Sequence, residues 1–255
     1  MKTGLGKLIR IGAGFMPFSG LRTAFFALGG VRVGRGAYLG YGVRIGERTA
    51  LGESVRICSG ASIGRDVSIG GNAKIGVGAR IGDGTVVGQD VVVSEFALVG
   101  NAVIGKGSFI ERGVVMTGFK VGKISIGKHT YIGLGAVLDW SGGLEIGDYV
   151  QIAGPSVGIW THSSVFQALK GKELNDRSET VISPVKIDDN VWIGGNSTVY
   201  PGSIIGPFAV VLPNSVVNRN VARGTVVGGN PATVKRTLLA EGSTVRFSGT
   251  EGPQP

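Results

Sequence analysis

The chain has 255 residues, 47 of them glycine, and its 26 Lys and Arg residues against 17 Asp and Glu residues give a formal charge of +9. One cysteine excludes an internal disulfide framework, and two histidines cannot complete a zinc site that needs three histidine ligands. The positive charge indicates an anionic partner, and nucleic acid is the weakest candidate because zinc spacings and aromatic-rich strand motifs are missing. We expect a cytoplasmic protein.

Residues 1–32 lack the regular repeat that fills most of the chain. Basic residues are interleaved there with apolar ones, as in Lys7 and Arg10 beside Leu8 and Ile11. No apolar run reaches the roughly 18 residues that a membrane span requires. Two interpretations stay open for this segment. It can be a helix that caps the open end of the repeat domain, which we favour. It can also be a basic amphipathic helix whose residues 1–30 make peripheral contact with the inner membrane face.

From Val33 onwards an aliphatic residue returns about every six positions, usually followed by glycine. A helix of 3.6 residues per turn would put successive positions on different faces. Six is an even number, so a strand keeps all of them on one face. The pattern predicts short strands joined by corners, with inward-pointing ladder residues at positions 33, 39, 45, 51, 57, 63, 69, 75, 81, 87, 93, 99, 104, 110, 126, 132, 138, 146, 152, 187, 193, 199, 205, 211 and 217.

The glycine after most ladder residues indicates a corner with a positive φ or a close approach of two backbones. Three six-residue segments make one coil, and stacked coils pair their strands in parallel. This repeat resembles the hexapeptide-repeat family of left-handed parallel β-helices, from which the left hand is taken. We expect an all-β solenoid over residues 33–236, short helical segments at both ends, and a loosely ordered polar tail at 237–255.

The repeat breaks after Ile152 and resumes at Val185. The polar residues 163–184 are therefore predicted to leave the coil surface as an excursion. Loops on a rigid scaffold commonly carry catalytic and binding groups. His162 stands where this excursion begins, whereas the second histidine, His129, lies inside a repeat and is interpreted as a solvated corner residue.

Several short strings follow in a fixed order around the excursion: Ile146-Gly147-Asp148, Thr161-His162, Val191-Trp192-Ile193-Gly194, Pro201-Gly202, Ile205-Gly206 and Gly229-Asn230-Pro231-Ala232. Together they resemble the hexapeptide O-acetyltransferases that act on sugars. The resemblance implies transfer of an acetyl group from acetyl-CoA to a sugar hydroxyl, with His162 as the catalytic histidine. Imidazole suits this role because it takes up and releases protons near neutral pH.

A histidine base needs its second ring nitrogen held, commonly by a carboxylate. Asp139 and Glu145 lie one coil before the excursion, and Asp139 is our first candidate for orienting His162 or binding the acceptor. Trp140 and Trp160 offer flat faces to a sugar ring, although packing at the base of the loop explains them equally well. The strand before Ile-Gly-Asp departs from the sugar acetyltransferases, which are rich in Asn and Asp there, so the acceptor sugar stays undefined.

Cations near the C-terminus are candidates for binding the phosphates of CoA, with a solvated basic face as the alternative. These cations are Arg219, Lys235 and Arg236. The resemblance implies that the pantetheine arm lies along the coils between neighbouring subunits of a homotrimer. The backbone positions that would contact it are Gly194, Gly195 and Pro213.

The sequence thus predicts a metal-free, acetyl-CoA-dependent O-acetyltransferase whose acceptor is a sugar or lipid-linked glycan of a bacterial surface polysaccharide or glycolipid. An N-acyltransferase acting on an amino sugar nucleotide is the nearest alternative within the enzymes. The alternative that is not an enzyme is a non-catalytic solenoid scaffold, and a failure to bind CoA would favour it.

Overall fold

Two helices precede a long series of short strands in the computed structural model, which describes residues 2–119, 122–241 and 244–247. The helices are α1 (Lys2–Ala13) and α2 (Ser19–Leu28). The strands before the excursion are β1 (Arg32–Val33), β2 (Tyr38–Leu39), β3 (Arg44–Ile45), β4 (Ala50–Leu51), β5 (Arg56–Ile57), β6 (Ser62–Ile63), β7 (Ser68–Ile69), β8 (Lys74–Ile75), β9 (Arg80–Ile81), β10 (Val86–Val87), β11 (Val92–Val93), β12 (Leu98–Val99), β13 (Ala102–Ile104), β14 (Phe109–Ile110), β15 (Val115–Thr117), β16 (Ile124–Ile126), β17 (Tyr131–Ile132), β18 (Val137–Asp139), β19 (Leu144–Ile146), β20 (Gln151–Ile152) and β21 (Gly158–Ile159).

The excursion and the C-terminal coils complete the element order. The excursion holds β22 (His162–Ser163), α3 (Val165–Leu169) and β23 (Val181–Ile182). After it come β24 (Val185–Ile187), β25 (Trp192–Ile193), β26 (Thr198–Val199), β27 (Ile204–Ile205), β28 (Val210–Val211), β29 (Val216–Val217), β30 (Thr225–Gly228), β31 (Thr233–Glu241) and β32 (Thr244–Phe247).

Each coil crosses three faces, which we number in chain order. The first face contains β1, β4, β7, β10, β13, β16, β19, β24 and β27; the second contains β2, β5, β8, β11, β14, β17, β20, β25, β28, β30, β31 and β32; the third contains β3, β6, β9, β12, β15, β18, β21, β26 and β29. Strands pair in parallel with the coil before and after, as Ile45 pairs with Ile63. The predicted solenoid of six-residue segments is therefore confirmed. We give each edge of this triangular prism the number of the face that precedes it in the chain.

The ladder side chains fill the interior of the prism. The exposed fraction is 0% for Leu39, Ile57, Ile75, Ile132, Ile152 and Ile193. A smaller residue two positions earlier shares this interior, as Val55 and Ala73 do, both also 0% exposed. Burying an aliphatic side chain of this size contributes about 1.5–3 kcal/mol, and the contribution exists only when neighbouring coils stack.

Close stacking of coils explains the glycine after the ladder residue. A Cβ atom on Gly105 would lie 2.5 Å from the backbone carbon of Gly127 in the next coil, closer than real Cβ contacts. Positive φ occurs two residues further on, at Gly107 (φ 69°) and also at residues with side chains such as Arg48 (φ 57°). Of the two expected reasons for these glycines, close backbone approach is the one that applies at Gly105.

The two helices pack against the first coil. Phe26 of α2 is 0% exposed, and Arg22 is also buried. The Arg22 guanidinium donates to the carbonyl oxygens of Leu39 at 2.8 Å and of Met16 at 2.5 Å, so this buried charged group is hydrogen-bonded. Neither α1, α2 nor α3 is long and apolar enough to cross a bilayer.

The expected C-terminal helix is wrong. The segment Thr233–Glu241 instead turns back as a strand and pairs antiparallel with Thr225–Gly228, and Thr244–Phe247 pairs antiparallel with it in turn. Six of the nine residues of Thr233–Glu241 are Lys, Arg, Leu, Ala or Glu, which favour a helix, so pairing with Thr225–Gly228 overrides the local propensity. Residues 237–241, expected to begin a loose tail, therefore lie in a strand, and the tail from residue 248 onwards lies outside the described residues.

The stacking explanation predicts different outcomes for two glycine substitutions. We expect Gly105→Ala to lower the free energy of unfolding by about 1–3 kcal/mol, because the facing backbone cannot yield to a new methyl group. Gly12 lies in α1, and a methyl group added there would have no atom within 4 Å, so Gly12→Ala should raise stability by up to about 1 kcal/mol. Denaturant unfolding of both variants checks this, and equal effects would contradict the stacking explanation.

Candidate active site

The excursion leaves the solenoid at the third edge on a short antiparallel ribbon. In this ribbon His162 pairs with Ile182. Contacts within the excursion hold its shape: the Lys170 ammonium lies 2.8 Å from the Glu179 carboxylate, and the Gln167 amide donates to a backbone carbonyl at 2.7 Å. His162 is thus rooted beside the rigid third face rather than at the tip of a loop.

Asp139 lies directly beneath His162, at the end of the third-face strand of the preceding coil. Its side chain is 0% exposed. One oxygen, Oδ1, accepts hydrogen bonds from the backbone N–H (3.0 Å) and hydroxyl (2.6 Å) of Ser141. The other, Oδ2, accepts from the backbone N–H (2.9 Å) and hydroxyl (2.7 Å) of Thr161 and lies 2.6 Å from His162 Nδ1. The carboxylate therefore has five hydrogen-bonding contacts.

The ionisation of Asp139 determines which nitrogen of His162 carries hydrogen. Burial alone would raise the pKa of Asp139, but hydrogen bonds from Ser141, His162 and Thr161 outweigh it and hold the pKa below its ordinary value of 3.8. The carboxylate is therefore charged at neutral pH and can only accept, so in the neutral ring Nδ1 is the nitrogen that donates. Nε2 is then left without a hydrogen and can accept a proton.

Phe119 and Arg177 complete the surroundings of the imidazole. The Phe119 ring meets the His162 ring edge-on, with centroids 4.8 Å apart and planes at 88°. The Arg177 guanidinium, from the excursion, lies 4.0 Å above the centre of the Phe119 ring. The imidazole is consequently held by Asp139 on one nitrogen and by an aromatic side chain, while its side chain remains 24% exposed.

Two clefts meet at His162. One, of about 250 Å³, lies within the excursion and is lined by His162, Ser164, Gln167, Ala168, Lys172, Leu174 and Arg177. The other, of about 270 Å³, lies on the third edge and is lined by Trp160, His162, Ser163, Ser164, Thr198, Tyr200 and Pro201. A group bound in either cleft can approach the same imidazole.

The two predicted tryptophans lie in different places. Trp160 shares the third-edge cleft with His162. Trp140 packs over glycines of earlier coils: its indole atoms lie 3.2 Å from where a Gly100 Cβ would be, and they fill the space that a Gly118 Cβ would need. Packing therefore accounts for Trp140, whereas Trp160 is placed beside the imidazole.

The predicted cofactor glycines lie on the second edge, one face away from His162. Gly194 and Gly195 are both buried, and their lack of a side chain is explained by stacking. A Cβ on Gly194 would lie 2.6 Å from the Pro213 nitrogen, and one on Gly195 would lie 2.5 Å from the Gly154 carbonyl oxygen. Contact of these three predicted residues with a pantetheine arm stays a prediction.

The predicted cations lie in two places, on the second face and on the third edge. Lys235 and Arg236 lie on the C-terminal strand of the second face, where Arg236 pairs in register with Val226. Their strand is three strand spacings of about 4.8 Å, roughly 14 Å in all, from the strand that precedes Gly194. Arg219 follows the last third-face strand and lies on the third edge, the same edge as His162. Both Lys235 and Arg219 are exposed.

Four residues of the site went unassigned from the sequence: Ser141, Thr161, Phe119 and Arg177. Ser141 and Thr161 are signalled by the coil register, because each lies two residues beyond a strand of the third face in successive coils. Phe119 and Arg177 have no such signal, since their meeting depends on the path of an irregular loop. No three His, Cys, Asp or Glu side chains converge as metal ligands within residues 2–119, 122–241 and 244–247.

Comparison with known proteins supports the interpretation of the repeat. The family model for bacterial transferase hexapeptide (six repeats) matches residues 184–219, and that for the hexapeptide repeat of succinyl-transferase matches residues 60–95. The chain is 33% identical over 139 residues to the putative lipopolysaccharide biosynthesis O-acetyl transferase WbbJ of Escherichia coli (strain K12), covering 44% of this chain and 71% of that protein.

A second relative from the same organism is the galactoside O-acetyltransferase, 30% identical over 138 residues, which cover 54% of this chain and 64% of that protein. The chain thus spans slightly less than two thirds of this enzyme. The fold of the present chain is similar to that of AntD, an N-acyltransferase from Bacillus cereus crystallised with dTDP and 3-hydroxybutyryl-CoA. The TM-score is 0.53 at 21% identity, over 60% of this chain and 82% of that chain.

The stacked hexapeptide coils define a left-handed parallel β-helix. This chain belongs to the hexapeptide-repeat acetyltransferase family.

The hydrogen bonds around Asp139 predict a pH-dependent stability. Because its pKa is lower in the folded chain than in the unfolded chain, its contribution is complete above about pH 4 and is lost as the pH falls through the folded pKa. We expect Asp139→Asn to destabilise the protein by about 1–3 kcal/mol at pH 7, since several donors lose a charged acceptor. The difference from the wild type should shrink towards pH 3. Denaturant unfolding at both pH values tests this, and a constant difference would contradict it.

Proposed function

We propose that this protein is an acetyl-CoA-dependent O-acetyltransferase that acts on a sugar hydroxyl of a surface polysaccharide or glycolipid. The observation that carries the proposal is the pair formed by His162 and the buried, ionised Asp139, with the imidazole at the meeting point of two clefts. Membership of an acetyltransferase family supports the reaction class. The similarity to WbbJ supports a hydroxyl acceptor on a lipopolysaccharide-type glycan.

In this proposal His162 is the general base. Its Nε2 accepts the proton of the acceptor hydroxyl as the hydroxyl oxygen attacks the acetyl carbon. Asp139 cannot take that proton away, because its ionised form is already stabilised by donors from Ser141 and Thr161. Its negative charge instead stabilises the imidazolium that forms and keeps Nδ1 as the donating nitrogen. Acetyl-CoA supplies the acetyl group as a thioester, and the imidazolium holds a proton for the departing sulfur.

The two clefts give the reactants separate places. The third-edge cleft has the flat side chains of Trp160 and Tyr200 together with the Thr198 hydroxyl, a combination that suits a sugar ring. The excursion cleft contains the cations Lys172 and Arg177. Arg177 stacks on Phe119, which in turn contacts the imidazole. We assign the sugar to the third-edge cleft.

The positions of the predicted cofactor residues support a shared site in an oligomer. His162 lies on the third edge, whereas Gly194, Gly195 and Pro213 lie on the second edge, with the width of the third face between them. In a homotrimer, the second edge of one subunit can face the third edge of its neighbour. The proposed trimer would thereby bring together two half-sites that a single chain keeps apart.

The reaction class is tested by thiol release from acetyl-CoA in the presence of single acceptors. We expect release with methyl galactoside or methyl glucoside and none with the acceptor omitted. Release only with an amino sugar nucleotide would reassign the protein to N-acyl transfer. If calorimetry with the folded protein detects no binding of CoA, the scaffold interpretation applies instead.

Replacement of His162 is predicted to abolish transfer without abolishing CoA binding. We expect His162→Ala to lower the transfer rate on the order of 10²–10⁴-fold, the usual contribution of a general base. His129→Ala is the matched control, because His129 stacks on Tyr149 with ring centroids 5.3 Å apart on the first edge, away from the site. Rates are measured by thiol release and CoA binding by calorimetry. Transfer that persists in the His162 variant would refute the assignment of the base.

Charge reversal at Lys235 and Arg236 is predicted to weaken CoA binding. Exposed cations attract phosphate groups through a field that salt screens, so the loss should be largest at low ionic strength. The control is Lys74→Glu, which changes an exposed cation on the same face at the other end of the solenoid. Calorimetric titration at two salt concentrations gives the affinities. If the Lys235 and Arg236 variant keeps the wild-type affinity, the phosphates bind elsewhere.

A further inference from the structure

The positive charge of the chain is concentrated at its N-terminal end. Residues 1–80 contain twelve Lys and Arg residues and three Asp and Glu residues, whereas residues 81–255 contain fourteen of each. The whole net charge of +9 is therefore carried by the two helices and the first coils. The half of the solenoid that holds His162 has no net charge, so the attraction to an anionic partner is strongest at the other end.

The helices at this end expose large apolar side chains to solvent. Their buried sides cover the first coil through residues such as Ala13 and Phe26. The exposed apolar side chains are Leu5 (65%), Leu8 (67%), Ile11 (58%), Phe15 (58%), Phe18 (70%), Leu21 (42%) and Leu28 (72%). In α1, three of these lie at spacings of three residues on one side of the helix. A segment of 24 residues with seven such side chains is unusual for a surface that faces only water.

Cations without a carboxylate partner surround this apolar end on all three faces. Several basic residues of the region do have such partners, as Arg48 has with Asp66 at 2.6 Å. Among the side chains that the structure describes, six exposed cations there have no carboxylate within salt-bridge distance. They are Lys7, Arg32, Arg44, Arg56, Lys74 and Arg80.

These six cations, which we call the cationic collar, lie close to the capped end. Five of them point outwards from strands of the first three coils, which occupy roughly 10 Å along the axis at about 4.8 Å per coil. That depth is close to the Debye length of about 8 Å at physiological ionic strength. Charges of the whole collar can therefore act on an anionic surface that the apolar end contacts.

We propose that the capped end of the solenoid binds the surface of a lipid bilayer that contains anionic phospholipids. The exposed apolar side chains of α1 and α2 enter the interfacial region, and the cationic collar contacts the headgroups. The combination of apolar and cationic groups favours this occupant over a second copy of the chain, because two collars of the same sign repel each other when two caps meet.

The orientation has a consequence for the site. Six coil steps separate the third-face strand Arg44–Ile45 from Gly158–Ile159, beside which His162 lies. At about 4.8 Å per step, the imidazole stands roughly 30 Å above the first coil when the solenoid axis is upright on the bilayer. Such a position suits acceptor groups that extend away from the lipid surface.

Vesicle co-sedimentation of the full-length protein tests the proposal. We expect binding to phosphatidylcholine vesicles that contain a quarter phosphatidylglycerol to be at least tenfold tighter than to pure phosphatidylcholine, and to weaken as salt is raised. Leu8→Ser with Ile11→Ser should lower vesicle binding at least tenfold. Reversal of Arg32, Arg44 and Arg56 to Glu should remove the preference for phosphatidylglycerol.

Matched controls test whether the loss of vesicle binding is specific to the capped end. They remove apolar area or reverse charge elsewhere on the surface. Leu169→Ser with Val234→Ser removes side chains that are 76% and 63% exposed elsewhere, and it should leave vesicle binding unchanged. The charge control reverses Arg112, Lys123 and Lys128. Absence of wild-type binding, equal binding to both vesicle types, or equal losses in the controls would overturn the proposal. Should the cap face a second copy, the Leu8 and Ile11 variant would instead change the oligomer mass in light scattering.

Discussion

The stacking of one coil on the next is the constraint on which the rest of the molecule depends. Each coil buries its apolar side chains only when neighbouring coils pack against it. The parallel hydrogen bonds fix which residue of one coil faces which residue of the next. The approach is so close that a methyl group on Gly105 would collide with backbone. This register requires a small residue at most corners. Where a corner instead has a large polar residue, the neighbouring coils fix the position of its side chain. The candidate site is built from such departures.

Asp139 occupies the position after the ladder residue Leu138, where most coils have glycine. Its carboxylate is therefore buried at the third edge, where a charge without hydrogen-bonding partners would be energetically costly. Ser141 and Thr161 supply four of its hydrogen bonds, and the fifth contact is His162 Nδ1. A buried charge that needs five contacts leaves few positions for the imidazole. The orientation of His162 is thus a consequence of how the solenoid accommodates Asp139.

Much of the fold and part of the candidate site could be predicted from the sequence because the architecture is periodic. The six-residue ladder predicted the faces, the corners and the break at the excursion, and the motifs singled out His162 and Asp139 before their contact was known. The expected C-terminal helix was wrong because antiparallel pairing with Thr225–Gly228 overrides the helix propensity of Thr233–Glu241. Phe119 and Arg177 could not be found, since an irregular excursion brings them together without a fixed spacing. The cationic collar was visible only as net charge, because its clustering depends on which strand residues point outwards.

The arrangement of Asp139 and His162 is tested most directly by the tautomer of the imidazole. The chain contains two histidines, so ¹⁵N-histidine labelling gives two ring systems, and a His129→Gln variant assigns them. Long-range ¹H–¹⁵N correlation spectra should show the neutral His162 ring with hydrogen on Nδ1 and a bare Nε2, and Asp139→Asn should remove this preference. A neutral ring with hydrogen on Nε2 would contradict the account, because Nε2 could then not accept a proton.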